Sequence, residues 1–64
     1  MASVIATYSF GYENQWRNAI DKIKSEIGSY SGWEYNRFCE IDILSDCSDV
    51  SKIKSICKQY DGYL

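Results

Sequence analysis

The sequence predicts a small α/β domain, which becomes an α+β domain if its second strand segment splits into a hairpin. Two strand-like stretches alternate with two amphipathic helices along the 64 residues. A period of two in the apolar side chains marks the strands, and steps of three and four residues mark the helices. Glycines stand at the ends of these segments. We therefore expect one two-layer domain over residues 1–64, with two helices on one face of a small sheet.

The first strand is predicted over residues 3–10, which are rich in β-branched and aromatic residues and place Val4, Ala6, Tyr8 and Phe10 on one face. Gly11 ends it. The first helix is predicted over residues 13–27, because its apolar residues form one stripe. We expect Gly28 to end this helix in a left-handed conformation. The stripe consists of Trp16, Ala19, Ile20, Ile23 and Ile27.

The second strand segment, residues 33–44, is long, because strands usually contain about 5–6 residues. One strand with a bend near Asn36 and Arg37 is our first interpretation. A hairpin is the alternative, ranked second because no glycine or proline marks a turn. One strand gives a β-α-β-α order with a parallel pair, whereas a hairpin gives β-α-β-β-α with an antiparallel pair.

The alternation within this segment separates an apolar face from an acidic face. The predicted core face holds Trp33, Tyr35, Arg37, Cys39, Ile41 and Ile43. The predicted solvated face holds Glu34, Asn36, Phe38, Glu40, Asp42 and Leu44.

The second helix is predicted within residues 46–60, with Ser48 as its N-cap and Asp49 in its first turn. Gly62 is expected to terminate it. The predicted buried stripe consists of Val50, Ile53, Ile56, Cys57 and Tyr60.

The residue types argue against catalysis. The chain has no histidine, which removes the commonest general base and every Ser-His or Cys-His nucleophile. It also has no glycine-rich phosphate loop. We therefore predict a protein that is not an enzyme and that uses no cofactor.

The three cysteines are Cys39, Cys47 and Cys57, with seven and nine residues between them. Structural zinc sites usually contain close cysteine pairs and four ligands, so we predict no metal site. Cys39 and Cys57 lie on apolar faces and are predicted to pack in the core. Cys47 precedes a helix N-terminus, where a thiolate is stabilised, and is the one candidate for a reactive thiol. Without a basic neighbour, an inert or simply exposed thiol is the preferred interpretation.

The chain lacks a stretch of about 20 apolar residues and the pattern of a signal peptide. We expect a cytoplasmic protein with reduced cysteines and no membrane partner. The net charge of −2 and a pI near 4.8 argue against neutralising nucleic-acid phosphates.

The acidic strand face is the predicted binding surface. Charge complementary to a basic partner would set orientation and association rate, while Phe38 and Leu44 would supply affinity. Tyr12, Tyr30 and Tyr63 fall in predicted loops or ends, and tyrosine is enriched in interfaces. The open edges of so small a sheet also suggest a homodimer or a protein partner, and the alternative is a monomer whose edges are protected by charges such as Glu40 and Asp42. The predicted partner-binding residues are Tyr30, Glu34, Phe38, Glu40, Asp42 and Leu44.

In its length, acidity and lack of catalytic residues, the chain resembles the small inhibitors carried by phages and mobile elements, anti-CRISPR proteins among them. The resemblance is one of kind and involves no shared motif. It implies a protein-binding module that inhibits or modulates a larger protein. The alternative is a nucleic-acid-binding accessory protein that uses Lys52, Lys54 and Lys58 together with stacking aromatic residues.

Overall fold

A computed structural model describes residues 2–29 and 31–64. The elements are β1 (Val4–Ser9), α1 (Glu13–Ile27), β2 (Trp33–Asn36), β3 (Glu40–Leu44) and α2 (Val50–Gln59). The strands form one antiparallel sheet in the order β1-β3-β2, and both helices pack on one face of it. The fold is the predicted small α+β domain. Neither of the two described helices is long and apolar enough to cross a membrane.

The segment predicted as one strand over residues 33–44 is a hairpin. A three-residue loop, Arg37 to Cys39, joins β2 to β3. The Asn36 side chain accepts the Phe38 backbone N–H at 2.8 Å, and Cys39 has a positive φ of 58°. An asparagine turn followed by a residue with positive φ is a common way to close such a loop. Our first interpretation was therefore wrong, and the alternative order, β-α-β-β-α, is confirmed.

The sheet order separates the two strands that run in the same direction. β1 and β2 each pair antiparallel with β3, so β1 and β2 are parallel to each other but not adjacent. The connection through α1 therefore passes from one edge of the sheet to the other. The adjacent parallel pair expected for a single long strand does not form, because β3 occupies the position between them.

The turn leaves the predicted core face and solvated face of residues 33–44 unchanged within β2 and β3. Asn36 pairs with Glu40, and paired residues of a hairpin share a face, so odd-numbered positions remain on the core side throughout. Ile41 and Ile43 are fully buried. The two exceptions are Arg37 and Phe38, which lie exposed in the loop instead of on the predicted core and outer faces.

One apolar core fills the space between the sheet and the helices. Its two tryptophans satisfy their ring nitrogens internally: the Trp16 indole N–H donates to the Glu40 carbonyl at 3.1 Å, and that of Trp33 donates to the Gly28 carbonyl at 3.0 Å. The predicted helix stripes are confirmed, with Ile27, Val50 and Tyr60 packing at the margin. The buried residues are Tyr8, Phe10, Trp16, Ala19, Ile20, Ile23, Trp33, Ile41, Ile43, Ile53, Ile56 and Cys57.

The helix ends differ in detail from the prediction. The helix α2 begins at Val50, so its N-cap is Asp49 and not Ser48, and no described side chain caps it. The Ser48 hydroxyl donates to the Asp49 carboxylate at 3.5 Å. Gly28 ends α1 with φ 96° and ψ 164°. This conformation is accessible to glycine but is not the left-handed helical one that we expected.

The C-terminal end of α2 is closed by a Schellman motif. The Gly62 N–H donates to the Cys57 carbonyl at 2.7 Å, and the Asp61 N–H donates to the Lys58 carbonyl at 3.1 Å. Asp61 takes the positive φ of 66° that glycine usually supplies. Gly62 is required for space, because a Cβ atom there would lie 2.8 Å from the Cys57 carbonyl oxygen.

Candidate functional site

The face of the sheet opposite the helices is uncovered by any described residue and carries three carboxylates. We call it the open sheet face. Glu34 lies directly opposite Asp42 across β2 and β3, and Thr7 lies opposite Asp42 across β1 and β3. The residues of the open sheet face are Val4, Thr7, Ser9, Glu34, Asn36, Glu40, Asp42 and Leu44.

Hydrogen bonds within the sheet fix two of the three carboxylates. The Thr7 hydroxyl donates to the Asp42 carboxylate at 2.7 Å, and the Asn36 side-chain amide donates to the Glu40 carboxylate at 3.0 Å. Asp42 and Glu40 are half-buried, whereas Glu34 is exposed. The acidic groups are therefore held in defined positions.

No cation from the described part of the chain neutralises these carboxylates. The ion pairs found there are Glu13–Arg17 at 2.8 Å, Glu26–Lys22 at 3.1 Å and Glu26–Lys52 at 3.6 Å, all between helix residues. Hydrogen bonding to Lys22 holds the pKa of Glu26 below its usual value. The open sheet face thus keeps its negative charge exposed to solvent, with like charges directly opposite each other.

Apolar side chains flank the acidic centre of this face at both ends. At one end, half-buried Leu44 lies opposite Val4, and a β-bulge places the 54% exposed Ile5 next to them. At the other end, Phe38 stands 70% exposed at the hairpin tip, where the Arg37 guanidinium lies 5.4 Å from the centre of its ring.

The structure thus brings four of the predicted partner-binding residues, Glu34, Glu40, Asp42 and Leu44, onto one face. Phe38 stands at its margin, displaced from the strand by the turn. Tyr30 lies outside the described residues. Partner binding by this set stays a prediction.

A second surface was not predicted as a site. A cleft of about 310 Å³ lies where the start of α1 meets the chain that follows α2; we call it the tyrosine cleft. The sequence places Tyr12 and Tyr63 in predicted loops or ends and Tyr60 in the apolar stripe of the second helix, with no indication that they meet. The cleft joins residues 46 positions apart, so no local pattern could have revealed it. It is lined by Gly11, Tyr12, Gln15, Tyr60, Asp61 and Tyr63.

Backbone hydrogen bonds position the walls of the tyrosine cleft. Tyr63 exchanges two of them with Ser9, at 2.7 and 3.0 Å, and this bridge attaches it to the edge of β1. Tyr12 is the N-cap of α1, and its carbonyl accepts the Trp16 N–H at 3.2 Å. The Gln15 side-chain amide donates to the Asp61 carboxylate at 3.4 Å.

A third depression, between α1 and β2, is smaller. It encloses about 160 Å³ beside Trp16, Lys24 and Tyr35. The Lys24 amine lies 5.1 Å from the centre of the Tyr35 ring and 3.4 Å from its hydroxyl. Since Lys24 already occupies the aromatic surface, this groove offers a ligand less than the tyrosine cleft does.

The cysteines do not form a cluster. Cys57 is fully buried, and burial raises the pKa of its thiol to about 12, so it stays protonated at neutral pH. Cys39 and Cys47 are half-buried and pack against the core. All three are free thiols. Within residues 2–29 and 31–64, no group of three or more cysteine, aspartate or glutamate side chains is placed to hold a metal ion.

Comparison with protein-family models, with curated proteins and with solved structures gives no match. The geometry of the open sheet face and of the tyrosine cleft is therefore the basis for inferring function.

Proposed function

We propose that this protein is a non-enzymatic binding module whose open sheet face docks on the basic surface of a larger protein and inhibits or modulates it. The observation that carries the proposal is the pairing of Glu34 with Asp42, neither of which forms an ion pair with a described cation. Like charges directly opposite each other destabilise a sheet. A basic partner would convert that repulsion into attraction.

The distribution of apolar side chains supports the same surface. Charge complementarity sets orientation and association rate, whereas apolar residues in contact with the partner supply most of the affinity. Ile5 and Phe38 are both more than half exposed, at opposite ends of the acidic centre. An interface of ordinary size covers about 800 Å² per partner. That is about a fifth of this molecule's 4045 Å² of accessible surface.

The class of function that we propose is that of a small inhibitor, of the kind carried by phages and mobile elements against host proteins, acting in the reducing cytoplasm.

A homodimer through the β1 edge is compatible with this role. Among the described residues, Tyr63 pairs with that edge only at Ser9. Pairing of two β1 edges would place two open sheet faces side by side. Sedimentation velocity at micromolar concentration tests it: a single monomeric species would remove the dimer from the proposal.

The decisive experiment removes the charge and keeps the shape. The test variant combines Glu34→Gln, Glu40→Gln and Asp42→Asn, whose amide oxygens still accept the hydrogen bonds from Asn36 and Thr7. The control variant combines Glu13→Gln, Asp21→Asn and Asp46→Asn, all at exposed positions. Both variants change the net charge equally, so any difference in binding reports the position of the charge.

Each tagged protein is used to capture partners from lysate of the source organism or its host, with and without nuclease. We expect the wild-type and control proteins to retain one stoichiometric protein after nuclease. The test variant should lose about tenfold or more of it, equivalent to about 1.4 kcal/mol. Equal capture by both variants would refute the role of the open sheet face. Capture that nuclease abolishes would instead favour nucleic-acid binding through the lysines of α2.

A further inference from the structure

We propose that the tyrosine cleft binds an arginine side chain of the partner protein. This inference rests on the proposed function for the basic character of the partner, but it concerns a different surface and is tested separately. The cleft volume of about 310 Å³ lies at the lower end of the range for small-ligand pockets, about 300–1,000 Å³. A single long side chain therefore suits it better than a larger ligand.

The walls of the cleft are aromatic and accessible. Tyr12 is 73% exposed and Tyr63 is 59% exposed, while Tyr60 is half-buried and packs against the core. The faces of aromatic rings attract cations that lie within about 6 Å of the ring centre. Three tyrosines around one cleft therefore favour a positively charged occupant.

A carboxylate adds charge complementarity. Asp61 lines the cleft, and one of its oxygens, Oδ2, accepts the long hydrogen bond from Gln15. No described residue donates to the other oxygen, and no described cation forms an ion pair with Asp61. This carboxylate is therefore available to a cation that enters between the tyrosines.

Arginine fits this combination better than lysine does. A guanidinium is planar, stacks on aromatic rings and donates two parallel hydrogen bonds to a carboxylate. An ammonium group is a compact and strongly hydrated charge that does not stack. Tyrosine walls with one carboxylate between them match the planar group.

The position of the cleft links it to the open sheet face. Tyr63 bridges Ser9, and Ser9 lies opposite Glu40 at one end of the acidic surface. Neighbouring strands are about 4.8 Å apart, so the backbones of Glu40 and Tyr63, which lie on either side of Ser9, are separated by about 10 Å. One basic partner surface could therefore cover the carboxylates and insert an arginine into the cleft.

The test uses three acetylated and amidated tripeptides, Gly-Arg-Gly, Gly-citrulline-Gly and Gly-Lys-Gly, titrated into the isotope-labelled protein. Backbone amide NMR shifts report where each peptide binds. Citrulline matches arginine in shape but has no charge. We expect saturable millimolar binding of the arginine peptide, with shifts centred on Tyr12, Asp61 and Tyr63. The citrulline and lysine peptides should bind at least about fivefold more weakly.

Two variants locate the site. Asp61→Asn removes the charge but keeps a residue type that tolerates positive φ, and should weaken arginine binding about fivefold or more. Tyr12→Leu removes an aromatic face at an exposed position and should weaken it as well. Asp46→Asn, an exposed change of the same charge away from the cleft, should leave binding unchanged.

The inference would be overturned if the citrulline peptide bound as tightly as the arginine peptide, or if the Asp61→Asn and Asp46→Asn variants bound the arginine peptide equally well. It would also be overturned by shifts confined to the open sheet face or by the absence of saturable binding. The triple amide variant of the open sheet face should still bind the arginine peptide. Failure of the cleft and failure of the proposed function are thereby separated.

Discussion

At the scale of single residues, several positions are determined by backbone geometry. Gly32 has a positive φ of 82°, and a Cβ atom there would lie 2.5 Å from the Cys47 Cα. Its carbonyl also accepts the Leu44 N–H at 2.9 Å, which joins the start of β2 to the end of β3. The sequence shows a glycine at the end of a loop, but the close approach of Cys47 follows only from the fold.

Replacing Gly32 by alanine should therefore destabilise the protein strongly. The strained φ and the collision with backbone atoms together should lower the free energy of unfolding by about 2–4 kcal/mol. Urea unfolding measures the change. Gly11→Ala is the matched control, since nothing lies within 4 Å of a Cβ atom there. A similar loss in both variants would show that crowding at Gly32 is not the cause.

The buried Cys57 thiol should make stability fall at alkaline pH. Its pKa rises from 9.0 to about 12 on folding, so between these values the unfolded chain has lost a proton that the folded chain keeps. The contribution is complete below pH 9 and is lost as the pH rises towards 12, by up to about 1.4 kcal/mol per pH unit. Burial raises the pKa of Tyr8 in the same direction.

Cys57→Val removes the titrating group and keeps an apolar side chain of similar size. Chemical unfolding at pH 7, 9 and 10 should show a shallower decline for this variant than for the wild type. Parallel declines would mean that Cys57 does not titrate differently in the two states.

At the scale of elements, the helices were predictable and the hairpin turn was ambiguous. The bounds of α1 match the prediction, because a strong apolar period and a following glycine define it. The turn between β2 and β3 contains neither glycine nor proline. The sequence signal for a turn here is Asn36, whose side chain accepts the Phe38 backbone N–H. The positive φ of Cys39 is visible only in the structure. The predicted faces of the sheet remained correct because Asn36 and Glu40, which pair across the hairpin, are both even-numbered and so lie on the same face.

Asn36→Ala should weaken the hairpin specifically. It removes the hydrogen bonds to the Phe38 N–H and to the Glu40 carboxylate, at 2.8 and 3.0 Å, and should cost about 1–2 kcal/mol. Thermal and urea unfolding test this. Asn18→Ala, at an exposed position inside α1, should instead be neutral or stabilise by about 0.5 kcal/mol, because alanine favours helices. If the two substitutions have equal effects, the Asn36 side chain does not hold the turn.

At the scale of the whole molecule, charge is segregated although the net charge is only −2. α2 carries three lysines and no acid, while the three strands carry three carboxylates and no base. The acidic face was predictable because strand alternation fixes it. The tyrosine cleft was not, because it requires the tertiary contact between Gln15 and Asp61.

Glu34→Gln should stabilise the free protein while weakening partner capture. It removes the repulsion from Asp42 and should raise the free energy of unfolding by about 0.2–1 kcal/mol at low salt. Added salt screens exposed charges, so the gain should shrink towards zero near 1 M salt. Urea unfolding at both salt concentrations measures this. A variant that is less stable than the wild type at low salt would contradict the repulsion on which the proposed function depends.

The central position of β3 also has a consequence during synthesis. Thr7 and Asp42, which share a hydrogen bond in the sheet, are 35 residues apart. At about 5–20 residues per second, β1 is synthesised roughly 2–7 s before β3, and it emerges from the ribosome earlier by the same interval. For that interval Tyr8 and Phe10 lack the core that later buries them, in a segment rich in β-branched and aromatic residues. The emergence of β3 therefore sets the earliest moment at which the nascent chain can complete its sheet.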